Sequence, residues 1–251
     1  ALAAHLLKRP VKLVLPRHDD MRMTGKRHPY SADFKIGLSA DLKIIAYKTT
    51  LYQNGGAAAD LSPAIMERTL FHSTGAYFIP NTQVTVFSCK TNLPPNTAFR
   101  GFGGPQGMLV IESAIAKAAN ELGISASKIQ EINLLKEKDE FQYGQIAENV
   151  NIGECFKSVS KKYDLDKIQS YIDQFNHQNK YQKRGLALMP LCFGISFTNT
   201  SMNQARALVH IYQDGSVSVS TGVIEMGQGV NTKLAQIASK TFGIDIEKVK
   251  I

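Results

Sequence analysis

The segment Asn96-Thr97-Ala98-Phe99-Arg100-Gly101-Phe102-Gly103-Gly104-Pro105-Gln106 gathers the residues best suited to chemistry. Gly101, Gly103 and Gly104 allow backbone angles closed to other residues and let the main chain come close to a ligand. A helix expected from Pro105 turns its free N–H groups and positive end toward the same place, which suits an anion. A Walker phosphate loop needs Gly-Lys-Ser/Thr, but here Pro105-Gln106 follows the glycines. A dinucleotide fingerprint needs G-x-G-x-x-G, and Gly107 falls one residue late. What remains is an arginine and two phenylalanines on a glycine backbone, a pocket for a planar or anionic ligand. The competing reading is a tight turn with Phe99 and Phe102 in the core. Glu225-Met226-Gly227-Gln228-Gly229 repeats the design, and the Gln228 amide can both donate to and accept from a heterocycle or a metal oxo group. Its competing reading is a helix-entry loop with a surface glutamine. Taken alone, Cys192–Thr198 reads as a strand and Met66-Glu67-Arg68 as a solvated charge pair.

Familiar catalytic sets are missing. There is no Gly-x-Ser-x-Gly elbow and no His-Glu-x-x-His, and the six histidines are scattered. Asp19-Asp20, beside Arg17, His18 and Arg22, reads as a salt-bridged loop. Cys89, Cys155 and Cys192 lack zinc or iron–sulfur spacing, and three reduced thiols without a signal peptide point to the cytoplasm. No run reaches the ~18 apolar residues of a membrane span. The net charge of +8 raises a nucleic-acid partner. Residues 1–60 hold ten Lys/Arg against five Asp/Glu and 126–184 hold ten against nine, so no polybasic tract supports one.

These residues need elements to position them. Val11–Leu15, ending at Pro16, reads as a buried strand, and Ala32–Leu38 with Lys43–Gln53 as an antiparallel hairpin around Ser39-Ala40-Asp41. Ser62 is expected to cap a short helix with Pro63 at its first turn, running to about Leu70. Gln83–Lys90 reads as a strand. Met108, Ile111, Ile115, Ala119 and Leu122 then line one face of a helix that Gly123 stops. Ser125 caps another helix, ending near Leu135. Polar residues dominate 136–184, with helical patches at Ile152–Val159 and Asp166–Phe175. Arg184–Pro190 reads as a strand, Ala207–Tyr212 and Ser216–Ser220 as a hairpin across Asp214-Gly215, and 230–242 as a helix. Glu247–Ile251 alternates as a strand does. The irregular mixture indicates an α+β fold. Both ends look cut, so the chain reads as an internal piece of a longer polypeptide.

Taken in order, these stretches resemble the molybdenum-binding part of the xanthine dehydrogenase and aldehyde oxidase family. The match runs through Pro10–Leu13, Met21–His28, Asp60–His72, Cys89–Gln106, Arg184–Thr198 and Asp214–Lys233. The resemblance implies parts of two molybdopterin-binding lobes, at 1–140 and 184–251, joined by a helical connection at 141–183. It implies a pterin-bound molybdenum that hydroxylates a carbon with oxygen from water, while [2Fe–2S] clusters and FAD on other domains or subunits carry the electrons away.

By the same resemblance Phe99, Arg100 and Gly101 line the molybdenum side of the cofactor, and Met226, Gly227 and Gln228 form the pterin-side loop. Phe102 stacks on a flat substrate, Phe197 meets it edge-on and Thr198 donates a hydrogen bond to it. Arg68 is the catalytic arginine of the xanthine branch, orienting a purine carbonyl; aldehyde oxidases generally lack it. The metal takes no direct protein ligand. The family's catalytic glutamate, in a Gly-Glu-Pro context, is absent, as is its Gly-Gly-x-Phe-Gly-Gly-Lys-Glu segment. The expected function is thus a piece, inert alone, of a dimeric purine hydroxylase. The rivals are an aldehyde or N-heterocycle oxidase and a non-catalytic binding or assembly module.

Overall fold

A computed structural model describes residues 1–251, which divide into two compact units, Ala1–Gly194 and Ile195–Ile251. The fold is α+β. In the first unit, α1 (Leu2–Leu7) and α2 (Arg17–Met23) precede an antiparallel hairpin of β1 (Tyr30–Leu38) and β2 (Ile44–Gly56). The tight turn is made by Leu42, held at φ 63°. In β2, Tyr47, Thr49, Leu51 and Gln53 are buried while Lys48 and Tyr52 are exposed, the period of two that a sheet with one covered face requires. Next come α3 (Ser62–Phe71) and β3 (Thr82–Lys90), which pairs in parallel with β2 and leaves β2 at the centre.

The long helix α4 (Gly104–Leu122) packs in the core, with Met108, Ile111, Ile115 and Ala119 buried as their spacing predicts. Leu122, expected on the same face, is 53% exposed, because it lies in the last turn before Gly123, whose left-handed φ of 65° ends the helix. α5 (Ala126–Asn133) is capped by the Ser125 hydroxyl as expected. Asn133, at its end, donates to Leu42 O at 2.9 Å and accepts from Ile44 N at 2.8 Å, tying helix to hairpin. The core joins Ile44, Tyr47, Tyr77, Ile111, Ile115, Ile129 and Phe156. Truncating one of these, Ile111 for instance, costs about 2–5 kcal/mol. α6 (Ile152–Tyr163) and α7 (Leu165–Gln178) extend beyond the expected patches and bury Phe156 and Ile172.

The structure corrects four local expectations. Val11–Leu15 forms no strand, and Leu13 and Val14 are exposed, because no neighbouring edge pairs with it. Arg184–Pro190 forms none either. Its backbone is held by side chains: Asn176 bonds both N and O of Arg184, at 2.8 and 2.9 Å, and Gln130 reaches Leu188 O at 2.8 Å. Cys192–Thr198 is likewise irregular. Ser62 lies inside α3 behind the cap residue Leu61, and its hydroxyl is 2.7 Å from His28 Nε2.

In the second unit, β4 (Ala207–Ile211) and β5 (Val217–Thr221) form the expected hairpin, with Gly215 at φ 78° in the turn. α8 (Val230–Phe242) follows, and β6 (Val249–Lys250) pairs in parallel with β5. The terminal strand is shorter than its alternation suggested because Ile246–Lys248 closes into a 3-10 turn. Val217, Val219 and Ala238 form this unit's small core. Both units therefore follow one plan, a hairpin, then a helix, then a third strand parallel to the second.

Candidate functional site

Arg68 is built into the first unit rather than displayed on it. It is only 6% exposed, which overturns the solvated-pair reading of Met66-Glu67-Arg68. Its Nη1 donates to Gly194 O, while its guanidinium carbon lies 5.2 Å from the Phe193 ring centroid and 5.9 Å from that of Phe102. Both distances fall within cation–π range. Burial lowers its pKa, yet arginine starts so high that the charge persists. The result is a fixed cation between two aromatic faces, in surroundings that strengthen its field.

The Phe99–Gly104 loop supplies one of those faces. Gly101, Phe102 and Gly103 all have left-handed φ, of 93°, 48° and 96°. Such angles are costly for Phe102 and persist only where the surroundings hold them. The hold here is visible. A Cβ on Gly103 would stand 2.2 Å from Ile65 O and 2.7 Å from Thr69 Oγ1, and one on Gly101 would stand 2.5 Å from Pro105 Cγ. These glycines are thus required by packing against α3 and Pro105. Thr69 Oγ1 also lies 2.9 Å from Gly103 O.

Arg27 braces the loop from the other side. Its Nη2 donates to Arg100 O at 2.6 Å, and its guanidinium sits 4.3 Å over the Phe99 ring. Arg27 Nη1 and Gln106 Oε1 are both buried without a hydrogen-bond partner, and both line one narrow void with Phe99, Phe102 and Gly103. Phe99 stays 55% exposed and Arg100 is exposed, so the core reading of Phe99 fails. The loop presents an open ring and a cation on a backbone that cannot readily shift.

In the second unit, Asn203 clamps Phe197, accepting from its N–H at 2.8 Å and donating to its carbonyl at 3.1 Å. Thr198 Oγ1 is buried without a hydrogen-bond partner. In the loop before α8, Gly227 and Gly229 have φ of 92° and 74°. Glu225 accepts from the backbone N–H groups of Gly227, Gly229 and Asn231 at 2.8, 3.1 and 3.2 Å. These donors, Asn231 first, hold its pKa below the usual carboxylate range. Gln228 accepts from Met226 N and donates to Ile224 O, both at 2.7 Å, so its amide already serves its own loop. A carboxamide keeps a second N–H and a second lone pair for a ligand.

The structure thus brings Arg68 and Phe102 together in one unit and arranges Phe99, Arg100 and Gly101 beside them. Phe197, Thr198, Met226, Gly227 and Gln228 belong to the other. Sequence reasoning missed Arg27, His72, Phe193 and Asn203. For His72 one signal was available: it lies four residues after Arg68, on the same side of α3. No three His, Cys, Asp or Glu side chains converge as a metal-ligand set.

The chain matches the family described as "Molybdopterin cofactor-binding domain" twice, over residues 1–134 and 158–251. It is 44% identical to the xanthine dehydrogenase of Oryza sativa subsp. japonica over 251 residues, all of this chain and 18% of that protein. It is also 44% identical to the xanthine dehydrogenase/oxidase of Mus musculus over 253 residues, all of this chain and 19% of that protein. Among solved structures, quinoline 2-oxidoreductase from Pseudomonas putida 86 shares the fold. It has a TM-score of 0.76 and 21% identity, covering all of this chain and 33% of that one. The chain spans under a fifth of the length of the curated relatives it matches. Over residues 1–134 and 158–251, which together make up most of its length, the chain belongs to the molybdopterin cofactor-binding domain family.

Proposed function

We propose that this chain is the central part of a molybdenum hydroxylase acting on purines of the hypoxanthine and xanthine type. The observation that carries the reading is Arg68, buried and pinned between Phe102 and Phe193. A cation held so can donate a hydrogen bond to a purine carbonyl in one orientation and stabilise negative charge that develops on its oxygen. Phe102 offers a ring for stacking on a flat substrate. In the second unit Phe197 is immobilised through its backbone, and the Thr198 hydroxyl retains its hydrogen-bonding capacity for substrate.

The residues present fit a pterin-borne metal. The 99–103 loop exposes Arg100 and Phe99 on a locked backbone, and the 225–229 loop adds a second glycine turn at a helix start. Phe99, Arg100 and Gly101 would hold the metal side of the cofactor, and Met226, Gly227 and Gln228 the pterin side. When bound, the cofactor supplies a two-electron oxidant and a water-derived oxygen. The protein orients the purine and neutralises charge on it.

The two lobes, 1–140 and 184–251, flank a helical connection, and [2Fe–2S] and FAD carriers sit on other domains or subunits of a cytoplasmic dimer. The chain alone is inert, since it has no Gly-Glu-Pro glutamate. The full-length protein carrying this chain tests the proposal. Prepared without molybdopterin it should not oxidise xanthine, and reconstitution should restore the activity. Xanthine oxidation by cofactor-free protein would refute it.

A further inference from the structure

His72 closes α3 directly behind Arg68. Its Nδ1 lies 2.9 Å from Arg68 O, and its Nε2 accepts the Gly194 N–H at 3.0 Å. Since Nε2 accepts, the proton sits on Nδ1 and donates to Arg68 O: the imidazole is neutral, in one tautomer. Burial lowers its pKa in keeping with that state, and the neighbouring Arg68 charge acts in the same direction. Arg68 itself donates to Gly194 O, so the two ends of the Gly194 main chain are held by the two side chains. Phe193 lies across both, 4.9 Å from the imidazole centroid and 5.2 Å from the guanidinium carbon. The packing beneath leaves no slack, because a Cβ on Gly104 would stand 2.7 Å from Phe193 Cε2.

We propose that His72 is a positioning residue for substrate orientation: it locks Arg68, Phe193 and Gly194 into one rigid unit, so that a purine carbonyl meets a cation that cannot swing away. The inference rests on the purine reading of Arg68. Its spacing from Arg68 is the one local signal in the sequence, and the contact that defines the role reaches a segment 122 residues away. The effect expected from a displaced cation is of the order of ten- to a hundredfold in kcat/KM, since misplacement by about an ångström costs that much.

The test uses the cofactor-loaded full-length protein and the ratio of kcat/KM for xanthine to that for benzaldehyde. His72→Leu, which can neither donate nor accept, should lower the ratio at least about tenfold. His72→Gln, which retains one donor and one acceptor, should restore most of it. Xanthine affinity measured by calorimetry on cofactor-free protein should follow the same order. Phe193→Leu, which removes the ring and leaves both hydrogen bonds, should shift the ratio in the same direction to a smaller extent, and carries the test where His72→Leu does not accumulate folded. An equal fall for both substrates, or an unchanged ratio alongside a lowered one in Arg68→Met, would overturn the role of His72. An unchanged ratio in Arg68→Met itself would overturn the purine reading instead.

Discussion

Replacing Gly103 with alanine probes how the 99–103 loop is fixed. Two costs combine. The residue sits at φ 96°, and a left-handed conformation costs a non-glycine residue about 1–3 kcal/mol. The new Cβ would also stand 2.2 Å from Ile65 O and 2.7 Å from Thr69 Oγ1, both on α3. Overpacking of this kind adds about 1–3 kcal/mol. Gly123 supplies the control, since it has φ 65° but nothing within 4 Å of a Cβ. Gly123→Ala should therefore show the conformational cost alone, about 1–2 kcal/mol, and Gly103→Ala both costs together, about 2–6 kcal/mol. Urea unfolding followed by circular dichroism measures both. At roughly 2–4 °C per kcal/mol for a unit of this size, melting curves should separate them by several degrees. Equal midpoints for the two variants would refute the packing of the loop against α3.

Other expectations follow from the same geometry. Arg27→Met removes the donor to Arg100 O and the cation over Phe99, so trypsin cleavage after the exposed Arg100 should accelerate roughly five- to tenfold; an unchanged rate would show that Arg27 does not brace the loop. Glu112 accepts from Tyr77 and Gln130 at 2.6 and 2.8 Å, yet burial outweighs both and raises its pKa. A carboxyl raised on folding contributes stability below its unfolded pKa and loses it as pH rises through its folded one. The stability of the native chain relative to Glu112→Gln should therefore fall with rising pH over that interval, and a flat difference from pH 4 to pH 8 would contradict the assignment.

The sequence was most readable where structure is local. Both hairpins, the cap at Ser125, the stop at Gly123 and the helix after Gly229 rest on neighbouring residues, and all formed as expected. Val11–Leu15 and Arg184–Pro190 have strand-like composition, but a strand also needs a partner edge, and composition does not provide one. Ser62 looked like a cap because capping is a local habit, while its real partner, His28, lies 34 residues earlier. The site divides in the same way. The glycine loops were legible from type and spacing, whereas Arg68 read locally as a solvated charge pair and was singled out only by the family resemblance. Arg27 and His72 act across 73 and 122 residues, and pairs so distant leave no periodicity to read.

The most direct test of the purine reading is Arg68→Met in the cofactor-loaded full-length protein, assayed with hypoxanthine, xanthine and an aldehyde. Removing one preorganised donor from developing charge costs about 10²–10³-fold. The purine kcat/KM should therefore fall by that factor relative to the aldehyde value, while molybdenum content holds. A purine rate within a few-fold of the native one would contradict the role assigned to Arg68 and, with it, the assignment of purines as substrate.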